Sequence, residues 1–231
     1  MAFLTGGANT LSAAGYDVDN SCRFNSADSP QMVKAIGTPT STKICTISFW
    51  FKRGIIGAEQ HMFGNKKDGN ERSSIGLDDD GYTGALNFLQ EDSGSYAYQF
   101  RTNRLFRDPS AWYHLVLAID TNQGTESNRL KFYINGTQET SFAVSTYPAE
   151  DLAIRYGNDG EEFSIGTKFG GGGSYGNFFD GYLAEVVFID GQQLTPTSFG
   201  EFDSDSPTIW KPIDVSGLTF GNNGFYLDFE D

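Results

Sequence analysis

The chain has 231 residues, a length that suits one large β-sandwich and supplies enough apolar surface for a core without metals or disulfides. Thirty acidic against 16 basic side chains leave a formal charge of −14, which argues against free DNA or RNA and against an anionic membrane surface as partners. Aromatic residues at 15% and 28 glycines fit many short strands joined by tight turns, because rings pack on pleated faces and glycine supplies positive φ.

Residues 1–20 are small, polar and aperiodic and read as an arm that docks on a neighbouring protein; residues 21–231 read as one domain. The opening lacks a basic region followed by an apolar run, so the expectation is a protein made in a cytoplasm without a secretory signal. No stretch approaches the ~20 apolar residues of a membrane helix. Residues 44–52 are rich in β-branched and aromatic types and predict a strand; residues 85–89 predict a short one. Tyr96, Tyr98 and Phe100 alternate with Ala97 and Gln99, and residues 112–120 read as a strand buried on both faces. Leu130, Phe132 and Ile134 alternate with Lys131 and Tyr133 up to Asn135-Gly136, the signature of a type I′ hairpin with residues 137–144 as the returning strand. Residues 163–166 predict a short strand, residues 170–176 a glycine loop, and residues 181–190 a long apolar strand. Thr195-Pro196 opens the one expected helix, at most two turns long, with Phe199 and Phe202 three residues apart. The tail returns to strand through Phe225, Leu227 and Phe229. Cys22 and Cys45 have no zinc spacing and read as two buried free thiols, a disulfide being the alternative.

Four segments carry a resemblance: Ser48-Phe49-Trp50-Phe51-Lys52-Arg53, Trp112-Tyr113-His114-Leu115-Val116-Leu117, Leu130-Lys131-Phe132-Tyr133-Ile134-Asn135-Gly136, and Phe179-Asp180-Gly181-Tyr182-Leu183-Ala184-Glu185-Val186. In order and spacing they resemble the laminin-G-like (concanavalin A-like lectin/glucanase) superfamily. That implies an all-β, two-sheet antiparallel jelly-roll sandwich with one short helix. Residues 107–114, 188–192, 194–201 and 221–229 are similar to laminin-G-like modules of tailed-bacteriophage structural proteins. This narrower likeness implies a virion component, and fold alone does not say which.

Glucanases of the superfamily set two or three carboxylates at alternate strand positions. The nearest spelling here, Glu201-Phe202-Asp203, falls at the end of the expected helix, so the chain reads as no enzyme. Glu185 sits alone in an apolar strand, and the resemblance implies a structural role for it, paired with a basic residue or a backbone amide. Gly171-x-Gly173-x-x-Gly176 and Gly172-Gly173-Ser174-Tyr175-Gly176 spell a dinucleotide fingerprint and a nucleophile elbow. Neither opens a helix, so both read as a glycine-rich surface loop. Asp78 and Asp80 could offer hard oxygens to Ca²⁺, with Asp120 and Asn122 as a second set; the EF-hand spacing fails, and solvated turns are the competing reading. His114 reads as a satisfied structural histidine, and Trp50 and Trp112 as core. Tyr82 and Tyr175 are the candidate sugar-stacking rings, against ordinary surface tyrosines. Arg101, Arg104 and Arg107 form a basic island suited to an acidic patch on a neighbouring subunit, against local ion pairs.

Together these features lead to a bacteriophage surface protein, a head decoration, fibre or tail appendage, with glycan adhesion as an added role. A calcium-assisted carbohydrate-binding receptor-recognition module is the alternative, and a glycan hydrolase ranks third. The expected partners are other virion proteins, copies of the chain itself as a homo-oligomer such as a trimer, and a host surface glycan, with neither nucleic acid nor membrane insertion.

Overall fold

A computed structural model describes residues 16–68, 70–79, 81–169 and 174–230. In chain order the strands are Cys22–Phe24 (β1), Met32–Ala35 (β2), Ile44–Arg53 (β3), Gln60–Asp68 (β4), Glu71–Leu77 (β5), Ala85–Asp92 (β6), Ser95–Leu105 (β7), Tyr113–Asp120 (β8) and Leu130–Ile134 (β9). They continue with Thr137–Gln138 (β10), Phe142–Thr146 (β11), Glu162–Ile165 (β12), Lys168–Phe169 (β13), Tyr175–Gly176 (β14), Gly181–Asp190 (β15), Gly200–Phe202 (β16), Trp210–Pro212 (β17) and Phe225–Leu227 (β18). One sheet runs β1-β15-β3-β8-β9-β10, with β18 also pairing β15; the other runs β11-β7-β6-β5-β4-β12-β2. All strand pairings are antiparallel, as the predicted sandwich requires.

Period-two alternation decides which side chains meet between the sheets. Ile47, Phe49 and Phe51 of β3, Leu115 and Leu117 of β8 and Phe132 of β9 face Phe63, Ile75, Phe88 and Phe100 of the opposing sheet, all at most 1% exposed. Each such side chain contributes about 1.5–3 kcal/mol by leaving water. A second cluster, Val116, Val187, Ile189, Phe199 and Val215, lies on the outer face of the first sheet. The chain after β15 folds back over that face, which is why β8 and β15 are apolar on both sides.

The Asn135-Gly136 turn forms as expected, with φ of 48° and 75°. Its return strand is shorter than the sequence suggested. Only Thr137 and Gln138 pair with β9; the chain then crosses so that β11 pairs β7. The crossing places the Phe142 ring edge-on to Phe100, with centroids 5.1 Å apart. At Thr195-Pro196 there is one 3₁₀ turn, Pro196–Ser198, in place of a two-turn helix, because Phe199 is drawn into the outer cluster and Phe202 into β16. Among the described residues the α-helix is instead Glu126–Arg129, a single turn before β9. Both cysteines are free, but Cys22 is only half-buried while Cys45 is buried. Residues 170–173 of the glycine loop and residues 1–15 of the arm lie outside the described residues.

Candidate functional site

The site grows from the outward parity of β3. With Phe49 and Phe51 committed to the core, Trp50 must face out, and the register sets it between His114 of β8 and Ala184 of β15. The Trp50 ring stacks on the His114 imidazole, centroids 4.8 Å apart. On its far edge His114 accepts a hydrogen bond at Nδ1 from the indole N–H of Trp210, at 2.9 Å, and its Nε2 meets Ser48 Oγ at 2.9 Å. Burial pushes the His114 pKa down to about 3, so the ring is neutral. It acts as a polar spacer between two indoles and matches the structural role expected of it.

Around this plate the chain closes a hollow of about 300 Å³. Trp50 and Ala184 line it from the sheet, Trp112 from the approach to β8, Trp210, Lys211 and Pro212 from β17, and Val18, Asp19, Asn20 and Ser21 from a strap ahead of β1. All three tryptophans of the chain meet there. The indole N–H of Trp50 is sealed from solvent and has no acceptor among the described residues. Trp112, 37% exposed, extends the aromatic surface toward Tyr182, with ring centroids 6.4 Å apart.

The strap is fixed at both ends. Cys22, Arg23 and Phe24 pair with Leu183, Tyr182 and Gly181. At the other end Tyr16 donates its phenol proton to Glu185 Oε2 at 3.0 Å, and Tyr226 donates to the same oxygen at 2.7 Å. Glu185 sits at a bulge in β15 with φ of 51°, which turns its carboxylate out of the core-facing row. The basic or backbone partner expected for Glu185 is thus replaced by two tyrosines. Burial raises its pKa, against the lowering effect of both phenols.

Trp50 and Trp112 were expected in the core; both lie on the outer face. The alternation Phe49-Trp50-Phe51 carried that signal. Tyr82, 40% exposed, lies under the Arg101 guanidinium at 4.5 Å, and Arg101 pairs with Asp78. Tyr175 donates to Glu162 at 3.0 Å beside Lys66. Neither tyrosine joins the tryptophans. Asp120 accepts from the Asn122 backbone at 3.1 Å, from Asn122 Nδ2 at 3.0 Å and from Gln123 at 2.6 Å, so its carboxylate is spent on its own turn. Asp80 lies outside the described residues, among which no three His, Cys, Asp or Glu side chains gather to hold a metal. Arg104 pairs with Glu139 at 2.9 Å and Arg107 donates to the Thr83 carbonyl at 3.0 Å. Glu201, on β16, and Asp203 both reach Lys211, at 3.2 and 3.6 Å.

The family model described as Concanavalin A-like lectin/glucanases superfamily matches residues 25–198, about three quarters of the chain, and the chain belongs to that superfamily. No curated protein matches the chain. Among solved structures, a native heptameric SAP-like pentraxin from Limulus polyphemus is 15% identical, with 92% of this chain and 96% of that one covered and a TM-score of 0.55. A mutant NanB sialidase from Streptococcus pneumoniae is 16% identical over 79% of this chain and 28% of that one, TM-score 0.55. A Bacteroides ovatus protein whose carbohydrate binding is inferred is 17% identical over 77% and 44%, TM-score 0.52. The chain thus spans less than half of the latter two. At these identities the likeness is one of fold. The family match begins after the strap and ends before Trp210, so two walls of the hollow lie outside it.

Proposed function

We propose that the chain is a non-catalytic saccharide-recognition module, displayed on the surface of a bacteriophage particle, that holds sugar rings against Trp50, Trp112 and Trp210. The observation that carries the reading is the convergence of all three tryptophans on one hollow, one of them, Trp112, 37% exposed. Indole faces stack on sugar C–H faces, and a few placed polar groups fix orientation. The lectin membership of the superfamily and the inferred carbohydrate binding of the Bacteroides ovatus protein support it. A non-catalytic role is supported by Glu201 and Asp203, whose carboxylates are both tied to Lys211. The test is a glycan array probed with the wild-type protein and W112A, with and without chelator. Binding that falls at least ~10-fold in W112A is the expected result. Retained binding in W112A would move the site elsewhere, and a blank array would remove the reading.

The display role rests on the phage-like stretches at residues 107–114, 188–192, 194–201 and 221–229. Self-association fits a surface appendage, since such parts assemble symmetrically. Mass spectrometry of purified particles should find the chain, and light scattering should find an oligomer; absence from particles and a monomer at high concentration would refute the display role.

A further inference from the structure

The hollow lies against a strongly acidic neighbourhood. Asp19 and Asn20 line it and also line an adjoining recess of about 160 Å³, together with Tyr16, Asp17, Glu185, Asp228 and Glu230. Asp17, Asp19, Asp228 and Glu230 have no ion-pair partner among the described residues. The nearby cations offset little of this. Lys211 is held by Glu201 and Asp203 and Arg23 is paired with Asp180 at 2.9 Å, while Lys52, outward like Trp50, stands opposite Tyr182 in register. Tryptophan faces are themselves negative and attract cations, more strongly where water is excluded. A carboxylate-bearing sugar entering between the indoles would meet repulsion from both the rings and the strap. An ammonium group would meet attraction from both.

Taking the hollow to be a saccharide site, we infer that it selects sugars carrying a free, protonated amino group, such as hexosamine units, over their N-acetylated and anionic counterparts. The amine docks at the Asp19 end, where the strap meets the tryptophan plate. N-acetylation removes the charge and adds bulk at that end; a uronate reverses the charge.

The test is calorimetric titration of the full chain with hexamers of glucosamine, N-acetylglucosamine and galacturonate, at 50 and 500 mM salt, in wild type, D19N and W112A. Glucosamine hexamer is expected to bind about tenfold tighter than the N-acetylated one at low salt, with galacturonate weakest. The gap should shrink at high salt and in D19N, because both weaken the field at the strap. Equal affinity for the amine and the N-acetyl forms, with both lost in W112A, would overturn the amine preference and leave the saccharide site standing. An amine preference that survives in W112A would come from the acidic surface at large and would also overturn it. If none of the three binds, the saccharide site itself falls, and the amine preference with it.

Discussion

The indole N–H of Trp210 points at Nδ1 of His114, 2.9 Å away, and this one bond ties the C-terminal ribbon to the sheet beneath it. A donor at Nδ1 leaves the ring proton on Nε2, which donates to Ser48 Oγ. Protonating the ring would place a second hydrogen against the indole N–H. The outer aromatic plate therefore depends on a neutral histidine.

Acid should loosen the fold through this ring and through His61. Burial pushes His114 down to about 3 and His61 to about 4, the latter against the raising effect of Glu59 at 2.8 Å. Both values lie below the unfolded 6.5, so the unfolded chain binds these protons first. The stability they contribute is complete above pH 6.5 and is lost as pH falls toward 4 and then 3. Each histidine should cost about 1 kcal/mol per pH unit between pH 6 and 4.5. Urea unfolding at half-unit steps reads this out, and the slope should fall by about half in H114Q. A stability flat across that window would contradict it.

Gly136→Val should unfold the protein more readily for two reasons. Its φ of 75° resists a β-branched residue, and a Cβ there would lie 2.3 Å from the Trp210 ring. A loss of about 2–4 kcal/mol is expected. Gly124→Ala is the control, since nothing lies within 4 Å of its added carbon, and it should shift stability by less than about 0.5 kcal/mol. Thermal unfolding of the two variants decides.

Strands β3, β6, β7, β8, β9, β12, β15 and β18 and the Asn135-Gly136 turn were legible because each rests on local alternation or on turn chemistry that a short window contains, whereas β4 and β5, polar along much of their length, were not predicted. The site was not. Trp50, Trp112 and Trp210 are far apart in the chain, and only the pairing of β3 with β8 and the return of β17 over them bring the three together. Phe49-Trp50-Phe51 did hold the information that Trp50 faces away from the core, yet tryptophan in an apolar run reads as core until something is known to cover the other face. Tyr82 and Tyr175 looked free because their partners, Arg101 and Glu162, lie 19 and 13 residues away on other strands. The expected helix after Thr195 failed for a similar reason: burial of Phe199 in the outer cluster outweighs a good N-terminal signal.

Glu185→Ala should act on both stability and ligand binding. It leaves the Tyr16 and Tyr226 phenols without the carboxylate they share and frees the strap that carries Asp19 and Asn20. We expect a loss of about 2 kcal/mol in chemical denaturation. Saccharide affinity should also fall, with faster dissociation, at temperatures where the variant is fully folded. Tyr16→Phe removes one phenol only and should weaken binding with a smaller stability loss. Unchanged dissociation in both variants would mean the strap does not shape the hollow.

Arg155 offers the clearest test of the core's charged end. Its guanidinium is buried among Asp92 at 2.7 Å, Glu161 at 2.7 Å and Glu71 at 3.3 Å. The Arg155 backbone N–H also donates to Gln90 at 2.9 Å, so the turn and the sheet are locked together there. Arg155→Met keeps much of the volume but leaves Glu161, only 4% exposed, without its cation. Removing one partner of a buried pair costs about 3–5 kcal/mol, because the remaining charge stays desolvated. The double variant R155M/E161Q should recover part of that loss, since neutralising the orphaned carboxylate removes the penalty. Denaturant midpoints of the single and double variants measure the difference. A double variant no more stable than R155M would place the cost in lost packing instead of in the stranded charge.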